Sequence, residues 1–289
     1  MRFEATKLFN IMAQKFLYLL KEFYRLHLKK HKRKFQLFLY KTGKKKECYI
    51  CGKKLRRFIK YRGGLKNVPL WIKKTDPVGN DFDNYSCPYC FSHDRERHLF
   101  MYFDKLKLWD KIRNSSVLHF APETYLSARI EKCSPQKYVK ADLNPDHLYK
   151  PDDNICKIDA TNIPYDDSIF DFLLFNHILE HISDYKKALC ELFRVLKPNG
   201  IAILQTPYSR LLHGNFEDEG ICTNELRLFF YGQEDHVRIF SEKQFLKSLI
   251  DTGFTVRTYK HSVVLAEISP EYFGVNKEED LITAIKPEI

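Results

Sequence analysis

The sequence lacks a long apolar segment near its N-terminus. The longest early apolar run covers residues 16–20, which is far shorter than the apolar core of a secretory signal or a membrane-spanning helix. An export signal is therefore not expected, and we predict a cytoplasmic protein in a reducing environment. In such an environment paired cysteines hold a metal ion more often than they form a disulfide.

Acidic residues are scarce at the start of the chain. Residues 1–62 hold 3 of the 37 Asp and Glu residues but 20 of the 48 Lys and Arg residues. The rest of the chain is mildly acidic, so the net charge of +11 originates in the N-terminal segment. With 289 residues, of which 44% are hydrophobic, the chain can form one sizeable core and a smaller appendage.

Residues 1–42 are predicted to form a basic amphipathic helical arm. Apolar side chains recur there at spacings of three and four residues, with dense positive charge between them. Such an arm can make peripheral contact with an anionic inner membrane surface. Two other interpretations stay open: the apolar stripe packs on the chain's own domain or a second subunit, or the arm binds nucleic acid. The stripe consists of Leu8, Phe9, Met12, Phe16, Leu19, Leu20, Phe23 and Leu26.

Four of the eight cysteines form two Cys-x-x-Cys pairs, Cys48 with Cys51 and Cys87 with Cys90. Each pair is predicted to form a tight turn that presents two thiolates, and two such turns suit one tetrahedral zinc ion. Four cysteines would close the coordination shell, so the zinc is predicted to be structural rather than catalytic. We assign residues 43–98 to this zinc-binding segment. The alternative is four unrelated reduced cysteines.

Three basic side chains, Arg95, Arg97 and His98, follow the second cysteine pair directly. They lead into a segment that is predicted to be helical. Two interpretations stay open: these side chains recognise an anionic group of a substrate, or they pair with acidic residues nearby.

A strand, a helix and a second strand are predicted within residues 169–206. A short apolar run at 169–175 indicates a strand buried on both faces, and apolar residues recur at helical spacing from residue 184. The residues 197–200 should end the helix, and a second strand should follow at 201–204. This order indicates a right-handed parallel crossover. Asn176, His177, Gln205 and Thr206 would then lie at the rim of a site, beyond the carboxyl ends of the strands.

The segments FDFLLFNHILEHI and ELFRVLKPNGIAIL closely resemble the class I S-adenosylmethionine-dependent methyltransferases of the type that acts on small molecules. The resemblance runs from about residue 116 to the C-terminus. It implies an α/β, Rossmann-like fold over residues 99–289, with a seven-stranded, mostly parallel sheet whose last strand is antiparallel. The preceding cysteine-rich segment resembles that of a bacterial subset of these enzymes.

The resemblance also implies S-adenosylmethionine as the cofactor and a set of residues around it. Asp142 is expected to accept the ribose hydroxyls, and Asp159 to contact the adenine amino group. The first core strand is normally followed by a glycine-rich turn, whereas this chain has no glycine there, and small Ala121 must allow the close approach. The expected cofactor-binding residues are His119, Phe120, Ala121, Glu123, Asp142, Leu143, Asp159, Ala160, Asn176 and His177.

Residues 207–235 interrupt the regular alternation and are predicted to form a substrate lid. The family carries a His-x-Arg motif near the substrate mouth, which corresponds here to His236 and Arg238. Asp235 could orient His236 as a general base, and His177 is a second candidate. The alternative for Asp235 is an ion pair with Arg238 in the loop.

His177, Glu180 and His181 also form the H-x-x-E-H pattern of some metalloproteases. That pattern requires one helix to carry both histidines, whereas His177 falls at the end of a predicted strand. Zinc-dependent hydrolysis is therefore excluded at this motif.

The expected function is methyl transfer from S-adenosylmethionine to an oxygen of a small molecule or of a glycan or lipid-linked sugar. Because the sulfonium methyl is already reactive, the protein would mainly supply alignment and desolvation. Two other classes stay open. The missing glycine turn is compatible with a binding module that has lost catalysis, and the basic arm with a nucleic-acid methyltransferase. The latter is disfavoured because strand four does not end in the aromatic Pro-Pro motif of base methylators.

Overall fold

The computed structural model describes residues 30–148 and 154–288, together with isolated positions between 15 and 24. The predicted apolar stripe of the arm lies outside the described residues. Residues 30–41 are helical (α1), and Phe35 and Phe38 in this helix are largely exposed. Within the described part of the chain, no helix is long and apolar enough to cross a membrane.

The cysteine-rich segment contains little regular structure. Strands β1 (Lys46–Glu47) and β2 (Lys54–Leu55) form a small antiparallel hairpin. Helix α2 (Leu70–Thr75) and strand β3 (Pro77–Val78) lie between the two cysteine pairs. Helix α3 (Asp94–Lys105) continues through position 98, so the zinc-binding segment and the following domain share one helix.

A seven-stranded sheet forms the centre of the molecule. Its order is β11-β12-β8-β7-β4-β5-β6, and only β12 runs antiparallel to its neighbours. This arrangement confirms the predicted Rossmann-like α/β fold with an antiparallel last strand. The strands from β4 onward are β4 (Ser116–Phe120), β5 (Lys137–Asp142), β6 (Ile155–Lys157), β7 (Phe170–Asn176), β8 (Leu196–Gln205), β9 (Tyr208–Ser209), β10 (Phe240–Ser241), β11 (Thr255–Tyr259) and β12 (Leu281–Ile285).

Helices cover both faces of the sheet, which explains why β7 reads as an unbroken apolar run. One face packs against side chains of α7 and α9, including Leu192 and Phe245. The other packs against α3, α4 and α5, including Phe103 and Ile130. From α4 onward the helices are α4 (Leu108–Ile112), α5 (Thr124–Lys132), α6 (Pro145–Leu148), α7 (Tyr185–Val195), α8 (Asn224–Tyr231), α9 (Glu242–Thr252), α10 (His261–Val264) and α11 (Pro270–Phe273).

The predicted turn at 197–200 is absorbed into strand β8. The strand begins at Leu196, directly after α7, and its pairing with β7 shifts register between Phe170 and Phe172. Two long-range contacts explain the difference. Lys197 Nζ binds the Asp171 carboxylate at 2.8 Å, and Asn199 N donates to Lys286 O at 2.8 Å. The turn residues are therefore held against the sheet as an irregularity of the strand.

A second, three-stranded sheet connects the cysteine-rich segment with the predicted lid. Its order is β10-β9-β3, in which β3 pairs antiparallel with β9 at the start of the lid. Residues 61–82, which we call the covering segment, thereby lie against the lid, residues 207–235. This pairing places the covering segment near the carboxyl end of β8, which β9 follows in the chain.

Candidate functional site

The predicted cofactor residues lie along one edge of the main sheet. In the parallel pairings Phe120 lies opposite Phe175, and Asn176 lies opposite Gln205. Asp142 ends β5, and its carbonyl accepts a hydrogen bond from Ile158 N at 2.9 Å, just before Asp159. The strand order reverses at β4, between β5 and β7, which is where open α/β sheets form a binding crevice.

The turn after β4 keeps a left-handed backbone without glycine. Ala121 has a φ of 46°, and its N–H donates to Ala141 O at 2.8 Å. This conformation costs a non-glycine residue about 1 kcal/mol of conformational free energy. The methyl group of alanine adds little bulk. The chain therefore builds the tight turn that the family normally builds with glycine.

Glu123 gives the crevice a negative charge directly after this turn. Its carboxylate is within hydrogen-bond distance of His119 Nε2 at 2.8 Å and accepts from Asn176 Nδ2 at 3.3 Å. Burial opposes the ionisation of Glu123, but the hydrogen bond and charge of His119, a backbone hydrogen bond and the charge of Arg95 together outweigh it, so the pKa of Glu123 lies below its usual value. Asn176 is buried, and its Oδ1 has no hydrogen-bond partner among the described residues.

The two acids of β5 and β6 are held by backbone and hydroxyl donors. Asp142 Oδ1 accepts from Asn144 N at 2.8 Å. Asp159 Oδ1 accepts from the amide and the hydroxyl of Thr161, both at 2.8 Å. Ala160, next to Asp159, is buried, whereas the Leu143 side chain next to Asp142 is 54% exposed. An exposed apolar side chain beside two carboxylates suits the face of a nucleoside base.

Asp235 contacts a different histidine from the one predicted. Its Oδ2 lies 3.2 Å from His181 Nδ1, whereas the His236 ring packs edge-on against His181 with centroids 4.7 Å apart. The alternative ion pair of Asp235 with Arg238 is also wrong. Arg238 is buried and binds Glu217 at 2.7 Å and backbone carbonyls of residues 179, 182 and 183. The long side chain of Arg238 finds acceptors on the turn after β7, which no local pattern indicates.

His236 is buried close to a carboxylate. Its Nε2 lies 4.0 Å from Glu180 Oε1. Burial lowers the pKa of His236 to about 4, so the ring is neutral at physiological pH. His236 also lines a cavity of about 50 Å³ between the lid and the covering segment, which is bounded by Tyr61, Ile72 and Tyr231 among others.

His177 lies between two buried carboxylates rather than on the open edge. Its backbone has a φ of 53°, which turns the side chain inward. The ring places Nδ1 at 3.5 Å from Glu180 Oε1 and Nε2 at 3.4 Å from Glu279 Oε1. The sequence analysis missed Glu279 because it precedes β12 in a stretch without any recognisable motif. Glu180 and His181 were visible in the H-x-x-E-H pattern.

Of the basic residues after the second cysteine pair, Arg97 follows neither interpretation, whereas His98 lies against an acidic residue. Arg97 is fully buried and donates to five backbone carbonyls, so it binds neither an acidic side chain nor an exposed anion site. His98 Nε2 lies 2.8 Å from His261 Nδ1, and His98 Nδ1 lies 3.4 Å from Glu279. Arg95 is partly exposed near the start of α3. The carbonyls that accept from Arg97 belong to Asn84, Tyr85, Ser92, Phe273 and Gly274.

The two cysteine pairs converge as predicted. One sulfur atom from each cysteine lies within 4.8 Å of the others. Cys48 and Cys90 are separated by 3.7 Å and Cys51 and Cys87 by 3.9 Å between sulfur atoms. A tetrahedral zinc ion with bonds of about 2.3 Å requires sulfur separations of about 3.8 Å. The geometry of the four thiols therefore fits a zinc ion.

The comparisons with known proteins agree with this geometry. Residues 122–204 match the family described as "Methyltransferase domain". Demethylmenaquinone methyltransferase from Staphylococcus epidermidis is 44% identical over 45 residues, which are 16% of this chain and 19% of that protein. The chain thus spans about a fifth of the length of this curated relative.

Solved structures with a similar fold include an S-adenosylmethionine-dependent methyltransferase from Mesorhizobium loti and a putative one from Listeria monocytogenes. Each is 15% identical to this chain with a TM-score of 0.45. The first comparison covers 63% of this chain and 95% of the other, and the second covers 65% and 97%. The family match covers the part of the main sheet from the turn after β4 into β8.

Proposed function

We propose that this protein transfers a methyl group from S-adenosylmethionine to a hydroxyl group of a small molecule. The observation that carries the proposal is the convergence of Asp142, Asp159 and Asn176 on one sheet edge, beside the turn at Ala121. The family match over residues 122–204 begins directly after Ala121 and includes all three of these side chains. No other edge of the sheet combines strand ends of this chemistry in the described part of the chain.

The described side chains fit the two ends of the cofactor. Asp142 and Asp159 can accept hydrogen bonds from ribose hydroxyls and an adenine amino group, with exposed Leu143 against the base. Glu123 and the unpartnered Oδ1 of Asn176 can accept from the ammonium group at the other end. When bound, the cofactor supplies a methyl group on a positively charged sulfur.

The acceptor would enter between the lid and the covering segment. The cavity there contains His236 and is enclosed largely by apolar side chains. Enclosure excludes water and aligns the acceptor with the cofactor edge, which is the main contribution an enzyme makes to this chemistry. His177 is our choice for the proton acceptor, because Glu180 and Glu279 face its ring and would stabilise the charge it gains.

We further propose that the acceptor is a glycan or a lipid-linked sugar. This proposal is supported by the basic character of residues 1–62 and by exposed Phe35 and Phe38 on α1. Such a surface would bring the enzyme to acceptors at an anionic membrane. We also propose that Cys48, Cys51, Cys87 and Cys90 hold a structural zinc ion, for which the sulfur separations are suitable.

Calorimetric titration with S-adenosylmethionine tests the proposed function. The wild-type protein should bind, and Asp142→Ala should bind about 100-fold more weakly. Two hydrogen bonds to a carboxylate contribute about 3 kcal/mol together, which corresponds to that ratio. Asp110→Ala is the matched control, because Asp110 is exposed on α4, which leads into the opposite end of β4.

An equal affinity of Asp142→Ala and the wild-type protein would contradict the assignment of the edge. Absence of any binding to the wild-type protein would favour the non-catalytic binding module instead.

A further inference from the structure

Three polar side chains from two distant segments meet behind the proposed acceptor cavity. Glu180 and His181 lie on the turn Leu179–His181 after β7, and His236 lies in the loop before β10. One ligand atom from each lies within 4.8 Å of the others, and Glu180 Oε1 and His236 Nε2 are 4.0 Å apart. Metal–ligand bonds of about 2.1 Å allow one ion to bridge atoms up to about 4.2 Å apart. A small movement of His181 would therefore bring all three ligand atoms within bonding distance of one ion.

An unpartnered carboxylate oxygen points independently to a cation at this place. Glu180 is 1% exposed, and its Oε2 accepts from the Thr206 hydroxyl at 3.0 Å. Its Oε1 makes no hydrogen bond with the described residues, and its neighbours are two imidazole nitrogens, His177 Nδ1 at 3.5 Å and His236 Nε2 at 4.0 Å. Leaving a buried carboxylate oxygen without a hydrogen bond is costly, and a metal ion held between this oxygen and an imidazole would remove that cost. Both ring nitrogens of neighbouring His177 are likewise without a hydrogen bond from the described part of the chain.

The surrounding contacts orient the three side chains as metal ligands. His181 Nδ1 faces two acceptors of Asp235, Oδ2 and the carbonyl oxygen, each at 3.2 Å. With a proton on Nδ1 donated to these acceptors, the lone pair of Nε2 would be available to an ion. Val237 N donates to Glu180 O at 2.9 Å, so the loop that carries His236 is tied to the turn that carries the other two. The ligands are thus held in place from both segments.

We propose that Glu180, His181 and His236 bind a divalent transition-metal ion, at a site separate from the four cysteines. Two imidazoles and one carboxylate suit zinc, iron(II) or manganese(II), and three protein ligands leave coordination positions open. His236 also lines the cavity under the lid, so the metal site adjoins the space for the acceptor hydroxyl. A role of the metal in polarising that hydroxyl rests on the proposed methyl transfer, whereas metal binding itself does not.

This ligand set differs from the metalloprotease motif that the sequence analysis excludes. In that motif both histidines lie on one helix and the glutamate acts as a base. Here the glutamate is itself a ligand, His181 lies on a single short turn, and the third ligand, His236, is 55 positions further along the chain. The first histidine of the pattern, His177, is not one of the three ligands.

Titration of Co²⁺ into the full-length protein, with zinc retained on the four cysteines, tests the proposal. We expect one equivalent to bind with the absorption of cobalt on nitrogen and oxygen ligands and without a thiolate charge-transfer band. His236→Ala removes a ligand and should weaken Co²⁺ binding by about 100-fold or more. Asp235→Asn weakens the contact that orients His181 and should weaken Co²⁺ binding by about 10-fold to 100-fold, which is typical when a residue that supports a metal ligand is replaced. Asp235 is 65% exposed, so its variant should fold even if His236→Ala does not. His213→Ala, exposed on the lid, is the matched control and should bind normally.

Absence of Co²⁺ binding to the wild-type protein, or a spectrum of thiolate-bound cobalt alone, would overturn the proposal. So would equal affinity of the wild-type protein and Asp235→Asn. Calorimetry with S-adenosylmethionine on the same samples separates the two proposals. Binding of S-adenosylmethionine without binding of Co²⁺ would contradict only the metal site. Binding of Co²⁺ without binding of S-adenosylmethionine would contradict only the methyl transfer.

Discussion

Glu96 performs a capping role for a helix other than its own. It lies on α3, and its Oε1 accepts from Tyr125 N at 2.6 Å and Leu126 N at 3.0 Å at the start of α5. The N-cap residue of α5, Glu123, makes no side-chain cap, because its carboxylate contacts His119 and Asn176 instead. Glu96 therefore satisfies helix donors that would otherwise be unpaired. It ties the cysteine-rich segment to the helix beside the proposed cofactor crevice.

Burial, followed by the nearby charge of Glu123, raises the pKa of Glu96 to about 7. Because the folded pKa is raised, the folded state keeps a proton that the unfolded state releases between about pH 4.5 and pH 7. The stabilisation from protonated Glu96 is full below this range and is lost as the pH rises through it. Because of Glu96, the free energy of unfolding of the wild-type protein should fall by about 2 kcal/mol from pH 5 to pH 8.

Glu96→Gln should reduce this pH dependence. The amide oxygen still accepts from the two N–H groups, but the side chain no longer ionises. Urea unfolding at pH 5 and pH 8 measures the free energy of unfolding for both proteins. The variant should lose less stability than the wild-type protein over this interval, and Glu96→Ala should be less stable at both pH values. The raised pKa would be contradicted if the free energy of unfolding of Glu96→Gln fell from pH 5 to pH 8 by as much as that of the wild-type protein.

At the scale of elements, the two cysteine turns share one geometry. In each, the residue after the second cysteine adopts a left-handed backbone: Gly52 with a φ of 65° and Phe91 with a φ of 63°. The amides of these residues donate to the carbonyls of Cys48 and Cys87, at 2.8 and 3.0 Å. The apolar cluster around the cysteines is small, with Leu55 and Phe58 as its fully buried side chains apart from two of the cysteines. Such a cluster needs a metal ion to hold its loops together.

Cys87→Ser should therefore lose zinc and stability. Removing one ligand of a structural zinc site costs about 3 kcal/mol or more, which lowers the Tm by about 10 °C for a domain of this size. Elemental analysis and thermal unfolding measure the two effects. Cys190→Ser is the matched control, because Cys190 is exposed on α7. A wild-type protein without zinc, together with unchanged stability of Cys87→Ser, would contradict the structural zinc.

The covering segment and the lid form one unit through the pairing of β3 with β9. Ser209 Oγ donates to Thr75 O, and Arg62 forms an ion pair with Glu234 at 2.7 Å. The cavity between them is lined by residues of the covering segment, of the lid and of the loop before β10. If the proposed acceptor enters this cavity, the cysteine-rich segment would contribute to its recognition through the shape of the cavity.

The molecule as a whole separates positive charge from the main α/β domain. Residues 1–62 hold 20 of the 48 basic residues, whereas the rest of the chain has more acidic than basic residues. Helix α1 exposes two phenylalanine side chains among these charges. An exposed basic surface with aromatic side chains is typical of proteins that contact anionic lipid.

Pelleting with anionic liposomes tests this membrane contact. The full chain should pellet with the vesicles and be released at high salt, because the attraction is screened over a Debye length. A chain without residues 1–41 should stay in the supernatant. If both proteins pelleted to the same extent, a membrane role for the arm would be excluded. If high salt did not release the full chain from the vesicles, an electrostatic origin of the binding would be excluded.

The sequence by itself determined the succession of core strands along the chain and the residues that follow them at one edge of the sheet. Residues such as Asp142 and Asn176 follow buried apolar runs, and parallel strands bring all their carboxyl ends to one side. The paired cysteines were equally visible, because two-residue spacing is a local property. Patterns of this kind depend on neighbouring residues and on a small set of allowed topologies, so they can be predicted without coordinates.

Only the tertiary structure decided the contacts of polar side chains between distant segments. Asp235 binds His181, Arg97 reaches carbonyls near residue 273, and Glu279 meets both His98 and His177. The turn at 197–200 became part of a strand for the same reason. Long polar side chains can reach many acceptors, and which of them lies near is set by the packing of elements far apart in the chain. The proposed metal ligands depend on such packing, because Glu180 and His236 share no local pattern.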